Sequence, residues 1–302
     1  MNRPMLPYVV LAAGVAIVST ASILIRLAQA EGVASLGIAA MRLGLAALIL
    51  LPVAWSRLRA EVPRLSAADL RLTLASGACL ALHFWSWITS LAYTSVASST
   101  VLVTTNPIWV GLASLLLFRE RPTAAAVAGI TLSVAGTGLI FAGDDRAVDD
   151  QAAAVAPWLG NSLALLGAIS ASAYLLIGRG LRTRMSLLTY VWLAYASAGA
   201  LLWIAVLVSD TAVLGFPLMA YGLLLALAAG PQVLGHTAFN WSLRHMSATF
   251  VALSILGEPI GSALLAYFMF DERLAPAQLA GFVSILAGIF MAARAERRMP
   301  QR

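Results

Sequence analysis

Apolar stretches of about 20 residues, the length a helix needs to cross a bilayer, follow one another along the whole chain. No water inside a bilayer can satisfy backbone N–H and C=O groups, so a crossing segment is either a helix or part of a closed barrel. Barrel strands would be about 10 residues long and alternate in polarity, and that pattern does not occur here. Composition agrees: 61% of residues are hydrophobic and 11% are charged, against roughly half and a quarter in a soluble domain. The expected fold is therefore an all-α membrane protein. Ten spans are read, at Pro7–Ala28, Ala34–Trp55, Leu70–Ala92, Ser98–Phe118, Ala124–Ala142, Trp158–Leu181, Leu187–Val208, Pro217–Trp241, Ala248–Phe270 and Pro276–Ala293.

Two of these spans carry the same interruption. Asn106-Pro107-Ile108 is followed by Phe118, Glu120-Arg121, Gly129 and Gly136; Glu258-Pro259-Ile260 is followed by Phe270, Glu272-Arg273, Gly281 and Gly288. Each pair is offset by 152 residues. A proline within a helix removes one hydrogen bond and displaces the carbonyl four residues back, here that of Val103 or Ile255. In lipid such a carbonyl must face protein, a cavity or a ligand. Paired interruptions at corresponding positions of two halves point to a transporter's binding site and give Pro107 and Pro259 the character of hinges. One isolated proline would mark no more than a packing kink.

The offset divides the chain into a five-helix half over residues 1–143, an acidic linker over 144–157, a second five-helix half over 158–294 and a basic tail over 295–302. Five is odd, so the second half enters the membrane from the opposite side and the repeats are inverted. Arginine placement gives the orientation. There is no lysine; with the N-terminus in the cytoplasm, fifteen of the 19 basic residues fall on the cytoplasmic side. Arg146 and Arg273 fall outside, and Arg26 and Arg42 lie in or near spans. Both termini are thus expected in the cytoplasm and the linker with Asp144, Asp145, Asp149 and Asp150 outside. The net charge of +6 reports orientation and not a nucleic-acid partner. The single cysteine, Cys79, allows no disulfide within the chain and no zinc-type spacing, and the first apolar run is too long for a cleaved signal peptide.

The ten spans, the helix-four proline, the Glu-Arg after Phe118 and the Gly129/Gly136 pair resemble the EamA-type repeat of the drug/metabolite transporter superfamily, and the second half repeats the pattern. Arg42 matches an arginine common in the first such repeat; its counterpart in the second half is Ala194. Within that superfamily the aromatic third helix, His83-Phe84-Trp85-Ser86-Trp87, is most similar to the YddG-type exporters. The resemblance implies efflux of aromatic and other neutral amino acids across a bacterial inner membrane, with no cofactor.

Polar groups at membrane depth cost a few kcal/mol each on insertion scales. Glu258, one residue before the kink, is the most expensive. Three roles are open to it: a protonated carboxyl, a partner for a substrate ammonium, or a hydrogen bond to backbone freed by Pro259. Ser254, Glu258 and Ser262 share one face. His83, Trp87 and Ser90 make a stripe on helix three, and Gln232, His236 and Asn240 make another on helix eight. Such stripes line a cavity or join helices, the latter at under about 1 kcal/mol per bond. Asn106 stands at the position equivalent to Glu258, and Trp109 and Tyr174 offer aromatic surface. The expected substrate cavity is therefore His83, Trp87, Asn106, Trp109, Tyr174, His236, Asn240 and Glu258. Ser19, Ser22 and Arg26 share a face of helix one, with Arg26 near enough to the outer surface to snorkel. Arg42 lies deeper, where it could attract a carboxylate or, more simply, bond to neighbouring carbonyls. Gly129, Ser133, Gly136 and Gly138, with Gly281, Ser284 and Gly288, give helices five and ten small faces for packing within the chain or in a homodimer.

These features point to a secondary transporter for amino acids in a lipid bilayer. No Walker-type loop is present, so gradients must supply the energy. Export of drugs or organic cations, with Glu258 as counter-ion, is the nearest alternative. An intramembrane metalloenzyme using His83, His236 and Glu258 is the alternative of a different class, and no HExxH motif supports it.

Overall fold

A computed structural model describes residues 5–93, 96–118, 123–144, 156–270 and 276–298. Among these residues all regular structure is helical. The first half contains α1 (Leu6–Val18), α2 (Ala21–Ala30), α3 (Ser35–Glu61), α4 (Ala67–Ser90), α5 (Val96–Val103), α6 (Asn106–Phe118) and α7 (Ala124–Asp144). The second contains α8 (Pro157–Leu181), α9 (Leu187–Val208), α10 (Leu218–Leu227), a π-helical segment (Ala228–His236), α11 (Thr237–Ser242), α12 (Ala248–Ile255), α13 (Gly257–Phe270) and α14 (Pro276–Arg298).

Among the described residues, seven helices or joined helix pairs are long and apolar enough to cross a membrane, and two shorter apolar helices cover Val127–Leu139 and Leu279–Met291. Their outward faces are apolar: Leu207 is 77% exposed and Val208 83%. Water would penalise such a surface, whereas lipid does not. On the same helix α9, Tyr190, Ala194, Tyr195 and Ala198 are fully buried against the bundle. Helix starts follow local chemistry. Ser66 and Asp69 form a reciprocal capping box at α4, while Ser186 and Ser247 accept the backbone N–H groups of Thr189 and Phe250. Each cap satisfies donors the helix itself cannot.

Both proline sites interrupt their helices. The chain turns at Thr104–Thr105 between α5 and α6, and at Leu256 between α12 and α13. Two further interruptions correct the expected continuous spans. Helix one is divided at Ser19–Thr20, where Ser19 Oγ donates to the Val15 carbonyl at 2.9 Å and Thr20 Oγ1 to that of Ile17 at 2.7 Å. Hydroxyls bonding back in this way compete with the helix for its carbonyls. Helix eight widens into the π-helical segment around Pro231, whose ring cannot donate and crowds the carbonyl a turn earlier. The stretch Ser56–Asp69, left between the second and third expected spans, is largely helical, since α3 runs to Glu61 and a 3₁₀ turn covers Val62–Arg64.

The packing partners exchange consistently between halves. Helix α3 packs on α9, and α7 on α14. The contacts of α4 with α8 are matched by those of α1 with the π segment and α11; those of α5 and α6 with α8 are matched by those of α12 and α13 with α1. The α7–α14 pair uses the glycine faces. A Cβ on Gly136 would stand 2.7 Å from the Gly281 carbonyl oxygen, and one on Gly288 would stand 2.6 Å from that of Gly129. Backbones approach this closely only where side chains are absent. Gly129, Ser133, Gly136, Gly281, Ser284 and Gly288 thus pack within the chain, while Gly138 has nothing within 4 Å of where its Cβ would be. Glu120-Arg121, Glu272-Arg273 and the linker residues 145–155 lie outside the described residues, as do 299–302 of the basic tail. The tail does begin within α14, which extends to Arg298.

Candidate functional site

A cavity lies where the two halves meet. From the first half it is lined by Val18, Leu80, His83, Trp87, Val103, Thr104 and Asn106, and from the second by Ala171, Tyr174, Leu175, His236, Phe239, Ile255 and Glu258. Both helix interruptions reach it: Val103, Thr104 and Asn106 come from the α5–α6 break, Ile255 and Glu258 from the α12–α13 break. A broken helix turns side chains inward that a continuous one would spread around its circumference, so the first break supplies Thr104 and Asn106 to the wall and the second supplies Glu258.

Six of the eight residues expected at the site share this lining: His83, Trp87, Asn106, Tyr174, His236 and Glu258. Two stand elsewhere. Asn240 lies behind the wall, where its Nδ2 donates to the Tyr174 hydroxyl and, at 2.8 Å, to the His236 carbonyl. It positions Tyr174 and does not face the cavity. Trp109 is half-buried and turns back along its own helix, with Nε1 donating to Thr105 Oγ1 at 3.1 Å. Three residues separate it from Asn106, most of a turn, but the break at Thr104–Thr105 has already set which face of α6 points inward.

The first-half wall is aromatic. The rings of His83 and Trp87 are nearly parallel, 13° apart with centroids at 6.0 Å. His236 comes to 6.5 Å from His83, and Phe84 behind them meets His236 edge-on at 5.2 Å. His83 Nδ1 lies 3.0 Å from the Gly167 carbonyl oxygen. A carbonyl can only accept, so Nδ1 carries a proton and Nε2 of the neutral ring is left as an acceptor. The Trp87 Nε1–H is buried and has no hydrogen-bond partner among the described residues.

Glu258 is 6% exposed, and among the described residues no side chain pairs with its carboxylate. Its main-chain oxygen accepts from Ser19 Oγ at 3.3 Å. Nearby, Ser22 donates to the Ser262 hydroxyl at 3.1 Å, and Ser262 to the Ser19 carbonyl at 2.9 Å. The serines of helix one and the Ser262 end of the Glu258 face therefore join α1 and α2 to α13. Ser254 does not take part, because the break separates it from them; it bonds within α12 to Phe250. Asn106 is held similarly in the other half, with the Ser172 hydroxyl 3.3 Å from its Oδ1.

Arg42 is the residue whose environment the sequence described least well. It is wholly buried, and its Nε–H donates to the Gln232 side-chain oxygen at 2.7 Å. The acceptor is a side-chain amide carbonyl, and among the described residues no main-chain carbonyl is bonded to the guanidinium. The Arg42 guanidinium carbon stands 4.0 Å over the Phe84 ring. Gln232 is therefore the partner of Arg42, one turn from the cavity residue His236 on the π segment. Two tyrosines that the sequence reading did not name, Tyr195 and Tyr190, extend from the expected Tyr174 and close this region: Tyr195 donates to the Gln232 carbonyl at 3.1 Å, and Tyr190 stacks on Tyr174 with centroids at 6.2 Å. Their signal in the sequence was weak, since tyrosines in an apolar helix equally suit its ends. Among the described residues no group of three His, Cys, Asp or Glu side chains is placed to hold a metal ion.

The sequence model of the EamA-like transporter family matches residues 5–142 and again 158–294. A protein of known crystal structure shares the fold, with a TM-score of 0.75 over 99% of this chain and 100% of the other at 17% identity. No curated protein matches the sequence.

Proposed function

The chain belongs to the EamA-like transporter family, whose repeat it contains twice, and we propose that it exports aromatic and other neutral amino acids by alternating access. Family membership makes it a multi-pass membrane transporter of small solutes. The finer reading follows the YddG-type exporters. It has ten spans in two inverted five-helix repeats, both termini in the cytoplasm and a bacterial inner membrane as its site.

The observation that carries this reading is the cavity between the halves. It combines aromatic faces, neutral hydrogen-bonding groups and one carboxylate, which is the mixture that buries an apolar body while a few polar groups fix its orientation. A neutral amino acid suits it: the side chain meets Trp87 and Tyr174, and the ammonium meets Glu258. Pro107 and Pro259 flank the polar residues Asn106 and Glu258, so bending there would expose the cavity to one side and then the other. Few polar contacts define the side chain, and selectivity among neutral amino acids is accordingly modest.

A second reading, export of organic cations, draws on one specific feature: the Glu258 carboxylate faces the cavity without a partner among the described residues. A screen in proteoliposomes separates the two. Uptake of phenylalanine and smaller neutral amino acids supports the first reading; uptake of quaternary ammonium compounds without any amino acid supports the second.

A further inference from the structure

Arg42 presents a buried positive charge whose donors are mostly unused. Nε is bonded to Gln232, but both terminal nitrogens have no hydrogen-bond partner among the described residues, and neither has Gln232 Nε2. A buried group in this condition calls for a missing partner. All of these orphaned atoms are donors, and they stand around a fixed positive charge. Their partner must therefore be an acceptor, and the fixed positive charge favours an anion. The planar fork of a guanidinium matches the two oxygens of a carboxylate.

The cluster lies one side-chain layer from the cavity. Phe84, over which the guanidinium sits, also contacts the cavity residues His83 and His236, with centroids at 4.6 and 5.2 Å. In the aromatic wall the Gly167 carbonyl takes the His83 Nδ1–H, which leaves the buried Trp87 Nε1–H as a neutral donor there; the positive charge lies behind it, on Arg42. Glu258 supplies the opposite charge from within the cavity. No ion pair joins it to Arg42 among the described residues, where both terminal guanidinium nitrogens lack a hydrogen-bond partner. A positive and a negative group held apart in this way match the two ends of a zwitterion.

We propose that Arg42 and Gln232 form the carboxylate subsite of the transporter, reached past the edge of the Phe84 ring, with Glu258 receiving the ammonium. The identity of the occupant rests on the amino-acid reading; the anion preference of the subsite does not.

The test is direct binding to the purified full-length protein in detergent, by calorimetry, using L-phenylalanine, 3-phenylpropanoate, 2-phenylethylamine and chloride. Two variants accompany the wild type. Arg42→Lys keeps the charge but removes the fork. Gln232→Glu places a carboxylate against the guanidinium, filling the subsite from within while leaving the fold an ion pair. Phenylalanine and 3-phenylpropanoate are expected to bind the wild type and to weaken by about tenfold to a hundredfold in both variants, the loss that follows from removing hydrogen bonds to a charged group. Binding of 2-phenylethylamine is expected to stay unchanged. Unaltered carboxylate binding in both folded variants overturns the proposal, as does a wild type that binds neither carboxylate or binds chloride alone. If 3-phenylpropanoate binding depends on Arg42 but no amino acid is transported, the subsite stands and the amino-acid reading falls. If phenylalanine counterflow is intact in Gln232→Glu, the reading stands and the subsite falls.

Discussion

Arg42 Nε donates to Gln232 Oε1 at 2.7 Å, and this bond ties α3 in the first half to the π-helical segment in the second. Neither residue is exposed, so each depends on the other for desolvated hydrogen bonding. Replacing Gln232 by leucine would leave one more guanidinium N–H without an acceptor. The expected cost is about 2 kcal/mol, read as a fall of several degrees in the unfolding midpoint of the protein in detergent micelles. An unchanged midpoint would mean that the bond contributes nothing to the bundle.

The α7–α14 contact makes a sharper stability prediction. Gly288→Val would drive a side chain into Ser133 and the Gly129 carbonyl, separating the helices at a cost of about 1–3 kcal/mol. Gly138 has nothing within 4 Å of where its Cβ would be, so Gly138→Ala should be neutral or gain up to about 1 kcal/mol from helix propensity. Comparing the two unfolding midpoints checks both. Equal effects would show that the glycine face does not set the spacing.

Much of this was legible in the sequence, for physical reasons. A bilayer demands long apolar helices, and a proline interrupts one wherever it falls, so α5–α6 and α12–α13 could be read from Pro107 and Pro259. Helical spacing put His83 beside Trp87 and His236 on a polar stripe of its own; tertiary packing brings the two stripes together. The break at Ser19–Thr20 was less visible, because it depends on hydroxyls bonding back to carbonyls and not on a residue that forbids helix. The π segment hid for another reason: Pro231 permits either a kink or a wider turn, and tertiary packing chooses. Arg42 was placed at depth but not given its partner. Pairing across 190 residues leaves no periodic trace in one sequence.

Topology is open to a chemical test. The acidic linker containing Asp149 lies outside the described residues, and the arginine distribution predicts that it faces away from the cytoplasm. Asp149→Cys, in a chain with Cys79 replaced by alanine, should react with an impermeant thiol reagent applied to intact cells. Labelling that appears only after permeabilisation would reverse the orientation.

The proposed hinges predict a kinetic signature. Pro259→Ala restores a backbone donor and would favour continuing α12 into α13 through Leu256. Hinge changes commonly move kcat and KM together, so transport rate and apparent affinity should both shift while expression and unfolding midpoint stay close to wild type. Wild-type kinetics in the folded variant would remove Pro259 from the mechanism.

The central claim is that the cavity between the two halves carries an aromatic or neutral amino acid. Counterflow of labelled phenylalanine in proteoliposomes addresses it directly, with Trp87→Ala and His83→Ala measured beside the wild type. Trp87 packs a ring against His83 in the cavity wall, and losing it removes an aromatic contact of about 0.5–1.5 kcal/mol beyond its buried area. The wild type should show counterflow, and the two variants should raise the apparent KM for phenylalanine by about threefold to tenfold or more. Absence of any phenylalanine signal in a wild type that accumulates an organic cation would contradict the account.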